Sequence, residues 1–254
     1  MMSLRVKIIP CRTDNYSYVC IDSKNNAFVV DPSEFIPVDD FIKTNNLNLK
    51  YILNTHHHFD HVDGNIELKE KYGAKIVGSK NDKDRIPGID ICLMEGEFFE
   101  FNEYKTKIID IPGHTIGHIA FYIQSENIVF TGDTLFSLGC GRIFEGTPEM
   151  MYQSLNKLKN LPDNTRVYCG HEYTLNNALF LESVIKDRDL DEKIESLKQL
   201  YKKKQPSIPT TIKAEKKLNF FLKSDEENFK NHLKMSKAND LEVFTYLRHL
   251  KDTF

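Results

Sequence analysis

Short runs of β-branched and aromatic residues alternate with turn-forming residues through the first two thirds of the chain. They fall at 6–9, 16–21, 27–30, 51–55, 75–78, 105–111, 119–123, 127–131 and 166–169, and each reads as a strand. At 38–44, 65–72 and 148–158 the apolar spacing lengthens to that of a helix. The last of these opens with Thr147 as N-cap and Pro148 at the first helical position, where a missing N–H costs nothing. Strands with helices between them predict sheets covered by helices. From about Thr174 the texture changes. Residues 177–203 keep a helical period rich in Lys and Glu, Pro206 and Pro209 break it within 205–211, and 225–235 and 239–251 predict two further helices. There is no internal repeat, and Lys202, Lys203 and Lys204 read as a solvated helix end.

A chain of 254 residues, 40% hydrophobic and 28% charged, can bury a core without disulfides and has the composition of a soluble globular protein. The net charge of −3 supplies no general field for nucleic acid or anionic lipid, so any anion site must be local. No apolar run is long enough to span a bilayer and the first residues lack a signal-like pattern, which predicts a cytoplasmic protein with no membrane partner. The five cysteines are scattered without a C-x-x-C pair and are expected to be free, with Cys140 and Cys169 as packing residues.

The chemistry concentrates in Thr55-His56-His57-His58-Phe59-Asp60-His61, directly after the strand-like run ending at Asn54. In extended chain successive side chains alternate faces, so His56 and His58 share one side and His57 takes the other. Asp60 and His61 follow the end of the strand and can turn back toward the same place. Three imidazoles and a carboxylate this close are costly to bury unless a cation replaces their hydration. Downstream, Gly113-His114, Gly132-Asp133 and Gly170-His171 each close a strand-like run. The set His56, His58, Asp60, His61, His114, Asp133 and His171 holds too many ligands for one zinc, which takes about four, and so fits two ions sharing a carboxylate and a water. Nitrogen and oxygen donors suit zinc, with iron or manganese also open. His118 is read as structural or supporting, and His232 and His249 as exposed helix residues.

At these residues the chain resembles the metallo-β-lactamase superfamily, whose mark is H-x-H-x-D-H at a strand end followed by separate His, Asp and His ligands. Within it the chain is similar to the hydroxyacylglutathione hydrolase (glyoxalase II) family, through the run at 55–61, Pro112-Gly113-His114-Thr115, Thr131-Gly132-Asp133-Thr134-Leu135-Phe136 and Gly170-His171-Glu172-Tyr173-Thr174. The resemblance implies an α+β fold, a four-layer αββα sandwich over 1–173 with a helical substrate-binding domain over 174–254. It assigns His56, His58 and His114 to one metal, Asp60, His61 and His171 to a second, and Asp133 to both, with Asp60 and Asp133 as the catalytic carboxylates.

Substrate contacts implied in the same way are Arg142 and Phe144 in the segment 139–147, Tyr173, and the R-x-x-K pair Arg248 and Lys251, three residues apart and so on one face of the last helix. Arg142 and Phe144 depart from the Lys and Tyr of many members; Arg keeps the charge, whereas Phe144 lacks a hydroxyl. The activity implied is hydrolysis of S-(2-hydroxyacyl)glutathione thioesters, such as S-D-lactoylglutathione, to glutathione and D-lactate by a hydroxide bridging two divalent metal ions, in methylglyoxal detoxification. The partner is a small glutathione thioester, and the expected state a monomer, with a homo-oligomer open. Two other readings share the metal-binding run: a single-iron glutathione persulfide dioxygenase, which generally lacks the helical extension, and a metal-dependent nuclease, which the acidic charge does not favour.

Overall fold

The computed structural model describes residues 3–254 and divides into two compact units, Met1–Asp110 with Gly117–Gly132, and Ile111–Ile116 with Asp133–Phe254. In the first unit β1 (Arg5–Cys11), β2 (Asn15–Ile21) and β3 (Asn26–Val30) form an antiparallel meander. From β3 onward the pairing is parallel, through β4 (Asn48–Leu53), β5 (Lys75–Ser79) and β6 (Ile91–Leu93). Parallel neighbours need crossovers. These are α1 (Phe35–Thr44) and, after the single turn α2 (Phe59–Val62), α3 (Asn65–Tyr72). Val38, Ile42 and Leu68 of the helices bury against Ile9, Val19, Val29, Ile52 and Ile76, so one face of this sheet is covered.

The other face meets a second, antiparallel set: β7 (Phe98–Phe101), β8 (Tyr104–Asp110), β9 (Ile119–Ile123) and β10 (Ile128–Gly132). Rings interlock the two layers, with centroids 5.4 Å apart for Tyr18 and Phe130, 5.0 Å for Phe28 and Phe101, and 4.9 Å for Tyr51 and Phe99. Such pairs contribute about 0.5–1.5 kcal/mol each beyond the area they bury. Period-2 patterning is visible in β7, where Phe99 and Phe101 are buried while Phe98 and Glu100 are exposed.

The second unit opens with the small hairpin of β11 (Leu135–Phe136) and β12 (Gly139–Cys140). There follow α4 (Pro148–Lys159), β13 (Arg166–Cys169), α5 (Thr174–Val184), α6 (Arg188–Lys202), β14 (Thr210–Thr211), α7 (Ile212–Leu218), α8 (Glu227–His232) and α9 (Asp240–Asp252). Thr147 caps α4 through Met150 N, and Asn239 with Glu242 forms a capping box on α9. Phe180, Phe221, Phe244 and Leu247 are buried in this unit. Glu215 of α7 is fully buried and accepts hydrogen bonds from Leu138 N at 2.8 Å, Thr210 Oγ1 at 2.7 Å and Asn219 Nδ2 at 3.0 Å, which ties α7 to the hairpin.

Sheets covered by helices, followed by a helical C-terminal part, are what the pattern predicts. Several details differ, and the pattern does not mark the short strands β6, β7, β11, β12 and β14 or the helix α7. β4 ends at Leu53, so Thr55 to His58 are loop rather than strand. The helical run expected at 177–203 is two helices, because the chain turns extended at Ile185 and the Asp187 side chain caps α6 through Leu190 N at 3.0 Å. α8 is shorter than the 225–235 expected. All five cysteines are free, and burial pushes the Cys140 thiol up and Cys169 to about 12, as packing residues should be. Among the described residues no helix is long and apolar enough to cross a membrane.

Candidate metal centre

Each unit carries a share of the seven expected ligands. In the first, Asp31 stands at the end of β3 and is buried at 2% exposure. It accepts from Thr55 N at 2.8 Å, Thr55 Oγ1 at 2.7 Å and His61 Nδ1 at 3.1 Å. A carboxylate only accepts, so His61 carries a proton on Nδ1, and in the neutral ring Nε2 is then the atom able to ligate. The one hydroxyl proton of Thr55 goes to Asp31, so at 3.1 Å its oxygen receives His56 Nδ1–H, and in the neutral ring Nε2 of His56 is likewise the atom able to ligate.

His56 Nε2 lies 3.1 Å from His58 Nδ1, and His61 Nε2 lies 3.6 Å from Asp60 Oδ2. Asn15 Nδ2 donates to Asp60 Oδ2 at 2.9 Å. Ligand atoms of Asp31, His56 and His61 also lie within 4.8 Å of one another. The loop thus sends His56 and His58 to one place and His57 elsewhere, as the alternation predicts, although the backbone is not a strand. His118 is buried and stacks on His56 with centroids 4.5 Å apart.

In the second unit His114 Nδ1–H donates to the Arg142 carbonyl at 2.7 Å, which in the neutral ring again turns Nε2 to ligation. That nitrogen sits 3.4 Å from Asp133 Oδ2, and His171 Nε2 sits 3.2 Å from the same oxygen. Asp133 is 6% exposed. The segment after β12 wraps His114, because Phe144 N, at 3.2 Å, and Glu145 N, at 3.3 Å, donate to its carbonyl. Gly141 lies so close beneath it that a Cβ there would be 1.8 Å from the Asp133 carbonyl oxygen.

These contacts test whether metal ions fit. With the rings neutral, as a metal ligand must be, imidazole nitrogen and carboxylate oxygen would meet lone pair to lone pair at His61 with Asp60 and at His114 with Asp133. A cation between them turns the repulsion into coordination. Ligands about 2.0–2.1 Å from a tetrahedral zinc stand roughly 3.3 Å from one another, and the four separations here run from 3.1 to 3.6 Å. The donor set, nitrogen and oxygen without thiolate, fits divalent ions.

The expected substrate residues all belong to the second unit. The Tyr173 ring lies parallel to His171, with centroids 4.7 Å apart and 3° between planes. Phe144 is 62% exposed, edge-on to His114 at 5.2 Å. Arg142 is exposed, and its Nε is 3.7 Å from Asp252. Arg248 is buried: its guanidinium donates to the Cys140 carbonyl at 2.8 Å and approaches Asp252 at 3.1 Å and the Phe221 ring at 5.3 Å. Lys251 Nζ rests on the rings of Phe180 and Phe254, at 5.1 and 5.0 Å. Burial, and then the charge of Arg248, bring its pKa down to about 8.

Asp31 and Asn15 stand outside the residues that the sequence marks. For Asp31 a signal existed, since an acid stands directly after the run 27–30; nothing marked Asn15, which is one polar residue at a strand start.

The family model described as the metallo-beta-lactamase superfamily matches residues 12–171, and the chain belongs to that superfamily. A second model, the hydroxyacylglutathione hydrolase C-terminus, matches residues 172–254. A hydroxyacylglutathione hydrolase of Pelagibacter ubique is 51% identical over 99% of this chain and 100% of its own length, and one of Mesorhizobium japonicum is 40% identical over the whole of both. Within the superfamily the chain is a member of the hydroxyacylglutathione hydrolase family. The fold is also that of the solved BLEG-1 B3 metallo-beta-lactamase, with a TM-score of 0.68 at 22% identity over 86% of this chain and 99% of that one.

Proposed function

We infer that this chain hydrolyses S-(2-hydroxyacyl)glutathione thioesters, S-D-lactoylglutathione among them, to glutathione and the 2-hydroxy acid. What carries the reading is the pair of imidazole nitrogens held against carboxylate oxygens at ligand spacing, in a chain 51% identical over its length to a relative of that name. We assign His56, His58 and His114 to one ion, Asp60, His61 and His171 to a second, and Asp133 to both. The ions are expected to be zinc, with iron or manganese suited to the same donors. When bound, two such ions lower the pKa of water toward about 7 and polarise a carbonyl.

The chain's own residues then do the following. Asp60, held by Asn15, orients the attacking water and takes its proton. The C–S bond breaks and glutathione leaves as thiolate, a good enough leaving group to need no dedicated acid, and takes up a proton from solvent. Tyr173, Arg142 and Phe144 meet the peptide, and Lys251 with Arg248 supplies positive charge for its carboxylate. Residues 174–254 form the substrate-binding domain. The chain is expected to act as a cytoplasmic monomer. No observation of its own favours the dioxygenase or the nuclease.

The test is loss of the thioester absorbance of S-D-lactoylglutathione, with metal analysis on the same sample. Turnover with two ions per chain is expected. Two ions without turnover would sink the substrate, and a single ion per chain the paired centre.

A further inference from the structure

Behind the histidine loop, within the first unit, a carboxylate that the reaction does not use is fully buried. Asp82 ends the 3-10 turn Lys80–Asp82 that follows β5, with no exposed surface. Burying a carboxylate so deeply is costly unless its oxygens are engaged. They are engaged from three sides. Oδ2 accepts from His57 Nδ1 at 3.2 Å. Oδ1 accepts from Arg85 Nε at 3.1 Å and also from Arg85 Nη2. Gly117 lies flat on the group, and a Cβ there would sit 2.0 Å from Oδ1. With both oxygens tied to Arg85 and His57, the carboxylate has little freedom to move aside for a side chain at 117.

These contacts matter because of what flanks them. His57 is the middle residue of the triple histidine, and its two neighbours present their nitrogens to each other at 3.1 Å. Gly117 directly precedes His118, whose ring stacks on His56 at 15°. One side chain therefore touches both stretches of backbone that set the His56 ring: the loop that carries it and the segment that carries the ring packed against it.

We propose that Asp82 is a positioning residue for the His56–His58 ion. It anchors the histidine loop through His57 and gauges its distance from the 117–118 segment, so that His56 and His58 stay turned to a common point. The proposal rests on the metal assignment above and refines it. A group touching neither ion nor substrate governs how tightly one of the two ions is held, while the ion at Asp60 and His61, whose imidazole is braced by Asp31, is left alone.

The test uses the full-length chain loaded with zinc, titrated with a chromophoric chelator that resolves two dissociation constants, and repeated with cobalt to read the visible absorbance of each site. Asp82→Asn should weaken one ion by about 10–100-fold, the usual range for losing an outer partner of a ligand, and leave the other unchanged. His57→Ala should do the same, and the double variant should lose no more than the worse single variant, because both remove one anchor. Should Asp82→Asn fold poorly, Gly117→Ala presses on the same carboxylate from the opposite side and should reproduce the selective loss. Equal weakening of both ions, additive losses in the double variant, or no loss would overturn the role of Asp82. Wild-type protein that takes up fewer than two ions would instead overturn the metal assignment beneath it.

Discussion

The two units brace their imidazoles in different ways. In the first, carboxylates do it: Asp31 holds His61 and Asp82 holds His57. In the second, a main-chain carbonyl does it, Arg142 O against His114. A carboxylate partner raises the basicity of an imidazole more than a neutral carbonyl does, and it can be removed by substitution. A backbone carbonyl survives any change of its own side chain. The histidine loop is therefore the half of the candidate centre that mutation can loosen from a distance. The second unit separates its duties, with backbone for the ligand and side chains for the substrate.

The contrast can be broken at several strengths. Asp133→Ala removes the oxygen that two imidazoles face. Hydrolysis should fall by more than about a hundredfold, beyond what an outer partner costs, and metal content should drop; an active variant holding two ions would end the assignment of Asp133. Asp31→Asn should cost about 10–100-fold in metal affinity, measured by chelator competition, since an amide can offer its NH2 to His61 and leave the wrong tautomer. An unchanged affinity would mean that the carboxylate bracing is incidental.

Lys251→Ala should raise KM about tenfold or more with kcat little changed, the effect of losing a charge-assisted contact made equally in ground and transition states. In the wild type that contact has a pH limit. Lys251 has its pKa lowered to about 8, so its charge is present below that pH and lost above it. KM should rise as pH passes about 8, and the rise should vanish in the Lys251→Ala protein; a flat wild-type profile would remove Lys251 from the site. Arg142→Ala should raise KM a few-fold while the bound metal is retained, because His114 keeps its carbonyl. Loss of metal in that variant would contradict the division of duties. In the opposite direction, Phe144→Tyr should lower KM about two- to tenfold, the worth of one net hydrogen bond.

Much of the fold was legible because strands such as β9 and β10 are buried at every position and so carry nearly continuous apolar runs. β7 was missed since its four residues, Phe98 to Phe101, include an exposed Glu and fall short of a recognisable run. The turn at Ile185 to Asp187 was missed because no Gly or Pro marks it between two helix-forming stretches; only the capping aspartate betrays the break. The candidate ligands stood out through unusual residue types at fixed spacing. Their supports did not. Asp31, Asp82 and Asn15 are ordinary polar residues whose partners lie 45 positions away for Asn15 and 25 for Asp82, and such pairings exist only once the chain is closed. For Arg248 the sequence suggested a cation open to ligand, whereas its burial against the Cys140 carbonyl and Phe221 shows a side chain that also fastens α9 to the hairpin.

Gly141 sets a limit on how such a chain can diversify. With 1.8 Å between an added Cβ and the Asp133 carbonyl oxygen, that position admits only glycine, yet the neighbouring Arg142 and Phe144 lie open to solvent. Lineages remodelling their preference for one acyl thioester over another are thus free to swap the side chains there. They are not free to reroute the strand of backbone beneath them, so new specificities should arise by repainting this ledge and never by moving it.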